Sequence, residues 1–147
     1  MDTQFAPIKI LLVEDNPGDV RLSKEALRDS KINNTLEVVE DGQEALDFLR
    51  KKGKYKKVAT PDLILLDLDL PTMSGREVLE IVKSDKELHM IPIVILTVSQ
   101  SDQDILRSYD MQANAYVNKP VDLDQFIEVI RSIENFWFTI VKLPHRN

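Results

Sequence analysis

Five short apolar runs, each halted by a polar residue and separated by stretches of helical periodicity, constrain this chain more than any other feature. Ile8 to Val13 (IKILLV) is a run of strand length that stops at Glu14-Asp15-Asn16-Pro17-Gly18, a cluster of turn formers. A helical pattern follows, with Val20, Ala26 and Leu27 on one face and Arg21, Lys24, Glu25 and Arg28 elsewhere. Leu36 to Val39 alternates like a second strand, Asp41-Gly42 breaks it, and a helix from near Gln43 buries Ala45, Leu46 and Leu49. The basic stretch 51–60 (KKGKYKKVAT) reads as a solvated loop closed by Pro61. Leu63-Ile64-Leu65-Leu66 is the clearest strand, ending in Asp67, and Pro71 and Gly75 punctuate the way to a helix with Val78, Leu79, Ile81 and Val82. Ile93 to Val98 is a fourth strand. A helix around Ile105, Leu106 and Tyr109 leads to a fifth, Ala115-Tyr116-Val117, which stops at Lys119-Pro120. Asp122 caps a last helix carrying Leu123, Phe126, Ile127, Ile130 and Ile133 in register. Five β-then-α units imply an α/β fold: a parallel sheet with helices on both faces.

Composition narrows the chemistry. At 147 residues the chain is expected to form one domain, 1–147, with a short N-terminal arm (1–7) and a C-terminal extension (134–147). No cysteine is present, which excludes disulfides, thiolate metal sites and cysteine nucleophiles. Two histidines, His89 and His145, are too few for a histidine-rich metal centre. A net charge of −6 gives no general footprint for nucleic acid or anionic membrane. No apolar run approaches the ~18 residues of a membrane span, and the N-terminus lacks a signal peptide's basic and apolar regions, so the expected location is cytoplasmic.

In parallel sheets of this kind, ligands bind outside the carboxyl ends of the strands. The residues placed there are Glu14 and Asp15 after the first run, Asp67 after the third, Thr97 after the fourth and Lys119 after the fifth. Taken singly, each has an ordinary explanation: a solvated acid or helix cap, a strand-forming Thr, a surface Lys. Together, three converging carboxylates repel one another unless a cation compensates. A hard divalent ion such as Mg²⁺, with oxygen ligands, is the natural compensation, and Lys119 adds a second positive charge. Such a set suits phosphoryl transfer, in which catalysis is mostly positioning and charge neutralisation. A carboxylate can itself be the nucleophile, and Asp67, on the central strand, is the best placed.

The chain resembles the receiver domain of two-component response regulators over nearly its whole length. VEDN (13–16), LILLDLDLPTMSG (63–75), ILTVS (95–99) and YVNKP (116–120) carry the resemblance. Thirty residues separate Asp67 from Thr97, and twenty-two separate Thr97 from Lys119. The resemblance implies a flavodoxin-like, doubly wound (βα)5 sheet of strand order 2-1-3-4-5. It implies that Glu14 and Asp15 hold Mg²⁺ with the backbone carbonyl of Asp69, and that Asp67 takes a phosphoryl group from a histidine kinase. Thr97 and Lys119 would engage the phosphate, and Tyr116 would follow Thr97 inward, although simple strand packing explains Tyr116 equally well. Lys119-Pro120 looks like the family's cis peptide. DLDLP, GREVL and the ending IENFWFTIVKLP further resemble the response regulators paired with cyanobacterial phytochromes, implying a phytochrome-type sensor kinase.

Two residues depart from the common receiver pattern: Asp69 adds a negative side chain beside the acceptor, and Val98 is bulkier than many counterparts. Both bear on the lifetime of the phosphorylated state. The chain ends soon after its fifth helix, which leads us to expect no DNA-binding effector domain and an output through the receiver's own surface. The tail supplies an apolar ridge of Ile130, Ile133 and Trp137, with Phe136 and Ile140 alongside. It either folds back on its own core or marks an interface, and a homodimer is the commonest symmetric solution. Two other functions compete with the receiver reading. A Mg²⁺-dependent phosphohydrolase of the haloacid dehalogenase type would use Asp67 and Asp69, but its motif belongs on the first strand. An unphosphorylated pseudo-receiver adaptor would have no physical need for the acid, Thr and Lys set. Nucleotide binding fails because neither glycine-rich phosphate motif follows the first strand.

Overall fold

A computed structural model describes residues 7–29, 33–97 and 115–118, together with 124, 125 and 128. β1 (Ile8–Val13) is flanked by parallel partners on both sides, β2 (Asn34–Val39) and β3 (Leu63–Asp67). β3 in turn pairs with β4 (Ile93–Thr97), and β4 with β5 (Ala115–Asn118), giving the order β2-β1-β3-β4-β5. The predicted parallel sheet and its strand order are therefore both present. β2 starts two residues before the predicted Leu36.

Burial on both faces explains why the strands read as unbroken apolar runs. Alternate residues pack into two separate layers. Leu11, Val13, Ile64, Leu66, Ile93 and Ile95 meet Leu46 and Phe48 of α2 (Gly42–Leu49) and Val78, Leu79 and Val82 of α3 (Gly75–Ser84). Ile10, Leu12, Leu63, Leu65, Val94, Leu96 and Val117 line the other face, against Ala26 and Leu27 of α1 (Pro17–Asp29). All five residues of β3 are buried, so this strand is the centre of the core.

The helix starts are set by local chemistry. Asn16 caps α1, its Oδ1 accepting from the Asp19 N–H at 3.0 Å, and Pro17 occupies the first helical position, where its missing N–H costs nothing. Asp41 caps α2, accepting from the Glu44 N–H at 2.7 Å. Ser74 and Glu77 form a capping box on α3. At the far end of α3, half-buried Lys83 donates to the carbonyls of His89 and Ile91, both at 3.1 Å, and so ties the turn that feeds β4. Burial lowers the Lys83 pKa.

The stretch 51–60 differs from its sequence reading. It contains a 3₁₀ turn, Gly53–Tyr55, and is anchored rather than wholly solvated. Lys51 turns the chain out of α2 with a φ of 58°, and Tyr55 and Val58 pack against the core. The Tyr55 ring tilts against Phe48 with centroids 5.1 Å apart, its hydroxyl donates to Glu44 Oε2, and Lys54 Nζ lies 3.7 Å from the same oxygen. Desolvation first, and then the Glu44 carboxylate, push the Tyr55 hydroxyl above its ordinary pKa of 10.0. The lysines dominate the stretch in sequence, but one aromatic and one aliphatic residue decide where it lies.

The helix expected around Ile105, Leu106 and Tyr109 lies outside the described residues, as do Val98, Lys119, Pro120 and Asp122. Residues 124, 125 and 128 have helical backbone, in keeping with the last helix. The remainder of that helix and the extension, including Ile130, Ile133, Phe136, Trp137 and Ile140, also lie outside the described residues.

Glu44 makes the α2 anchor pH-sensitive. Its carboxylate accepts first from the Glu40 N–H at 3.0 Å, then from Tyr55, with Lys54 adding attraction, and these hold its pKa below the ordinary 4.5. A depressed folded pKa contributes stability above the unfolded value, and that stability is lost as pH falls through the folded one. Glu44→Gln should therefore cost about 1 kcal/mol at pH 7, the difference between a charge-assisted and a neutral hydrogen bond. Urea unfolding should show the gap between variant and parent closing as pH drops below 4.5. A gap that stays constant down to acid pH would contradict the assignment.

Candidate functional site

The register of the sheet builds the site. Val13 of β1 lies opposite Leu66 of β3, so one step further along each strand brings Glu14 beside Asp67. Asp67 itself pairs with Leu96, which puts Thr97 one residue past it, and Thr97 pairs with Asn118 at the end of β5. Backbone pairing alone thus brings Glu14, Asp67 and the Thr97 backbone to one edge of the sheet. For Thr97 and Tyr116 the structure describes the strand backbone and not the side chain, and Lys119 lies outside the described residues.

Among the described residues, Glu14, Asp15 and Asp67 form one carboxylate cluster, with an oxygen from each lying within 4.8 Å of the others. Glu14 is 0% and Asp67 2% exposed, whereas Asp15 is open to solvent. Two acids form the floor and one forms the mouth. Glu14 Oε2 accepts from the Asn16 N–H at 3.2 Å, and Asp67 Oδ1 accepts from the Asp69 N–H at 3.3 Å. The second bond folds the chain tightly after Asp67, and the Asp69 side chain stays exposed.

The donor set fits a hard divalent cation. Every donor is a carboxylate oxygen, the group is small enough to share one ion, and the exposed side leaves room for the waters that Mg²⁺ retains. Without a cation, the nearby negative charges repel one another.

Gly75 is a positioning residue that the strand-end argument did not single out. It is buried at the start of α3, its N–H donates to the Leu68 carbonyl at 3.0 Å, and a methyl built on it would lie 2.7 Å from the Leu68 Cα and overlap the Asp67 carbonyl. The loop from Asp67 to Ser74 therefore closes on the strand end only because this position has no side chain. Its punctuating place in the sequence after Pro71 is the signal that marks it. Gly42 plays the same part on the other side, where a methyl would lie 2.9 Å from both Met73 Cβ and Val78 Cγ2. The start of α2 is consequently in close contact with the loop that follows Asp67.

Comparison with known proteins agrees with this geometry. A family model described as the response regulator receiver domain matches residues 10–131. The response regulator Rcp1 of Synechocystis is 41% identical over 143 residues, 97% of each chain. Its Mn²⁺-bound crystal structure superposes with a TM-score of 0.75, covering 92% of this chain and 97% of that one. The phosphorylated cyanobacterial phytochrome response regulator RcpA is 47% identical, with a TM-score of 0.76 over 90% of this chain and 95% of that one. With its five-stranded parallel sheet and the acidic cluster at the sheet's carboxyl edge, the chain belongs to the response regulator receiver domain family and is homologous to the phytochrome response regulators.

Proposed function

We propose that Asp67 is the phosphoacceptor of this response regulator, and that the donor is a phosphohistidine on a phytochrome-type sensor kinase. One observation carries the reading: Asp67 is almost fully buried at the end of the central strand, within 4.8 Å of two further carboxylates. An Asp67 oxygen attacks phosphorus as the bond from phosphorus to the histidine nitrogen breaks, and the imidazole leaves. Glu14, Asp15 and Asp67, with the Asp69 backbone carbonyl, would hold Mg²⁺. Bound there, the ion supplies neutralisation of charge on the carboxylates and on the incoming phosphoryl oxygens. The Mn²⁺-bound form of Rcp1 supports a divalent cation in a homologue.

Thr97 and Lys119 are assigned to the transferred phosphate, one by its hydroxyl and the other by its ammonium group. The cis peptide is assigned to Lys119-Pro120 by the same resemblance. Phosphorylation adds charge and acceptor oxygens, which these two residues engage by moving. Tyr116 is assigned to the relay from Thr97 towards the surface. The protein acts in this reading as a signalling phosphoacceptor that promotes only its own phosphorylation and dephosphorylation. No helix among the described residues is long and apolar enough to cross a membrane. Such a protein would work in the cytoplasm, where kinase phosphodonors are made.

Asp67→Asn should retain the fold, because Asn is isosteric and relieves carboxylate repulsion, and should abolish labelling by a ³²P-phosphorylated kinase. Retained base-labile label in that variant would place the acceptor elsewhere. The last helix and its extension are assigned to a homodimer through Ile130, Ile133, Phe136, Trp137 and Ile140. Sedimentation should then show a dimer for the parent chain and a monomer for Trp137→Glu, and an unchanged oligomeric state would refute that interface.

A further inference from the structure

Six of the eight residues from Arg50 to Lys57 are Arg or Lys, the densest cationic run in a chain of net charge −6. All six are exposed. The anchoring of this run determines which part of the molecule it serves. Tyr55 and Lys54 both engage Glu44, in the first turn of α2, so the run folds back along that helix towards the carboxyl edge of the sheet. There Lys52 and Lys54 share a cleft of about 500 Å³ with Asp41 and Thr72. Thr72 lies five residues after Asp67, in the same tight loop that abuts Gly42 through Met73. Lys52 and Lys54 therefore border the loop that follows Asp67, at the edge of the phosphoacceptor site.

We propose that this basic loop is a docking surface for the phosphohistidine-bearing protein that delivers to Asp67, and that it meets an acidic patch on that protein. The inference rests on the function proposed above and adds a second contact, outside the carboxylate cluster. Any macromolecule that reaches a buried carboxylate at the sheet edge covers the surrounding rim, and this rim carries concentrated positive charge on an otherwise acidic protein. Charge of that kind accelerates and orients encounter. The cleft also identifies the class of partner. Asp41, Glu44 and Asp47 line it beneath the lysines. A uniform polyanion, nucleic acid or a lipid headgroup layer, meets repulsion from those acids, whereas a protein surface interleaves both signs.

The test uses the triple variant K52E/K56E/K57E, whose altered side chains are exposed and are not members of the carboxylate cluster. An autophosphorylated cyanobacterial phytochrome kinase serves as the macromolecular donor and phosphoramidate as the small one. The variant should be labelled by phosphoramidate at the parent's rate. Transfer from the kinase should show KM raised about tenfold with kcat within about twofold, and the parent's KM should rise more steeply with salt than the variant's. An unchanged kinase KM overturns the proposal, as does failure of the kinase to phosphorylate the parent while phosphoramidate still does. Parent binding to duplex DNA or phosphatidylserine vesicles through these lysines, with KM unchanged, assigns the loop to another polyanion and also overturns it. Failure of phosphoramidate to label either protein counts against the phosphoacceptor reading itself, and the docking proposal falls with it.

Discussion

A strand covered by helices on both faces meets water only at its ends, and the rest of this structure follows from that constraint. β1 and β3 are flanked on both sides by other strands and covered above and below by apolar side chains. Their polar residues are accordingly displaced to the carboxyl edge, where Glu14, Asp15 and Asp67 collect. The core thus does two things at once. It excludes water from the sheet, and it presses like charges into one small region, where they repel one another. The pairing of Val13 with Leu66 holds the backbones of Glu14 and Asp67 side by side. A divalent cation bound by the cluster would offset that charge without rearranging the strands.

Much of this was legible in the sequence because parallel strands with two buried faces leave a simple trace. IKILLV and LILLD each end at a strand terminus that the backbone shares, so the alignment of Glu14 with Asp67 followed from run length and strand order. The sequence marked a turn at Asn16 and a break at Asp41, but the capping roles of Asn16, Asp41 and Ser74 came from the structure. The placement of 51–60 did not follow. Its lysines outnumber its apolar residues, and composition averaged over the stretch hides Tyr55 and Val58, the two residues that pack against the core. Gly75 posed a similar problem. Its importance lies in what its missing side chain allows, a close approach to the Asp67 and Leu68 backbone, and only three-dimensional contact reveals that.

The acid surplus of the chain also becomes specific. Glu14, Asp15, Asp67 and Asp69 account for four of 25 acids, and without them the excess of acid over base would fall from six to two. Three of those acids, Glu14, Asp15 and Asp67, are gathered in one cluster. The opposing charge is equally local, concentrated between Arg50 and Lys57 and held near that edge by Glu44 through Tyr55. A negative site with a positive rim is an arrangement that attracts a cation to the centre and an acidic protein to the perimeter.

The central claim is that the carboxylate cluster is a divalent-cation site whose repulsion is relieved on binding, and denaturant unfolding with and without Mg²⁺ tests it most directly. Saturating Mg²⁺ should stabilise the parent chain by about 2.7 kcal/mol at a hundredfold excess over its dissociation constant. Asp15→Asn should lose most of that gain while being at least as stable as the parent in chelator, because one of the repelling charges is gone. A parent chain whose stability ignores Mg²⁺, or an Asp15→Asn variant that responds to it as fully as the parent, would contradict the account.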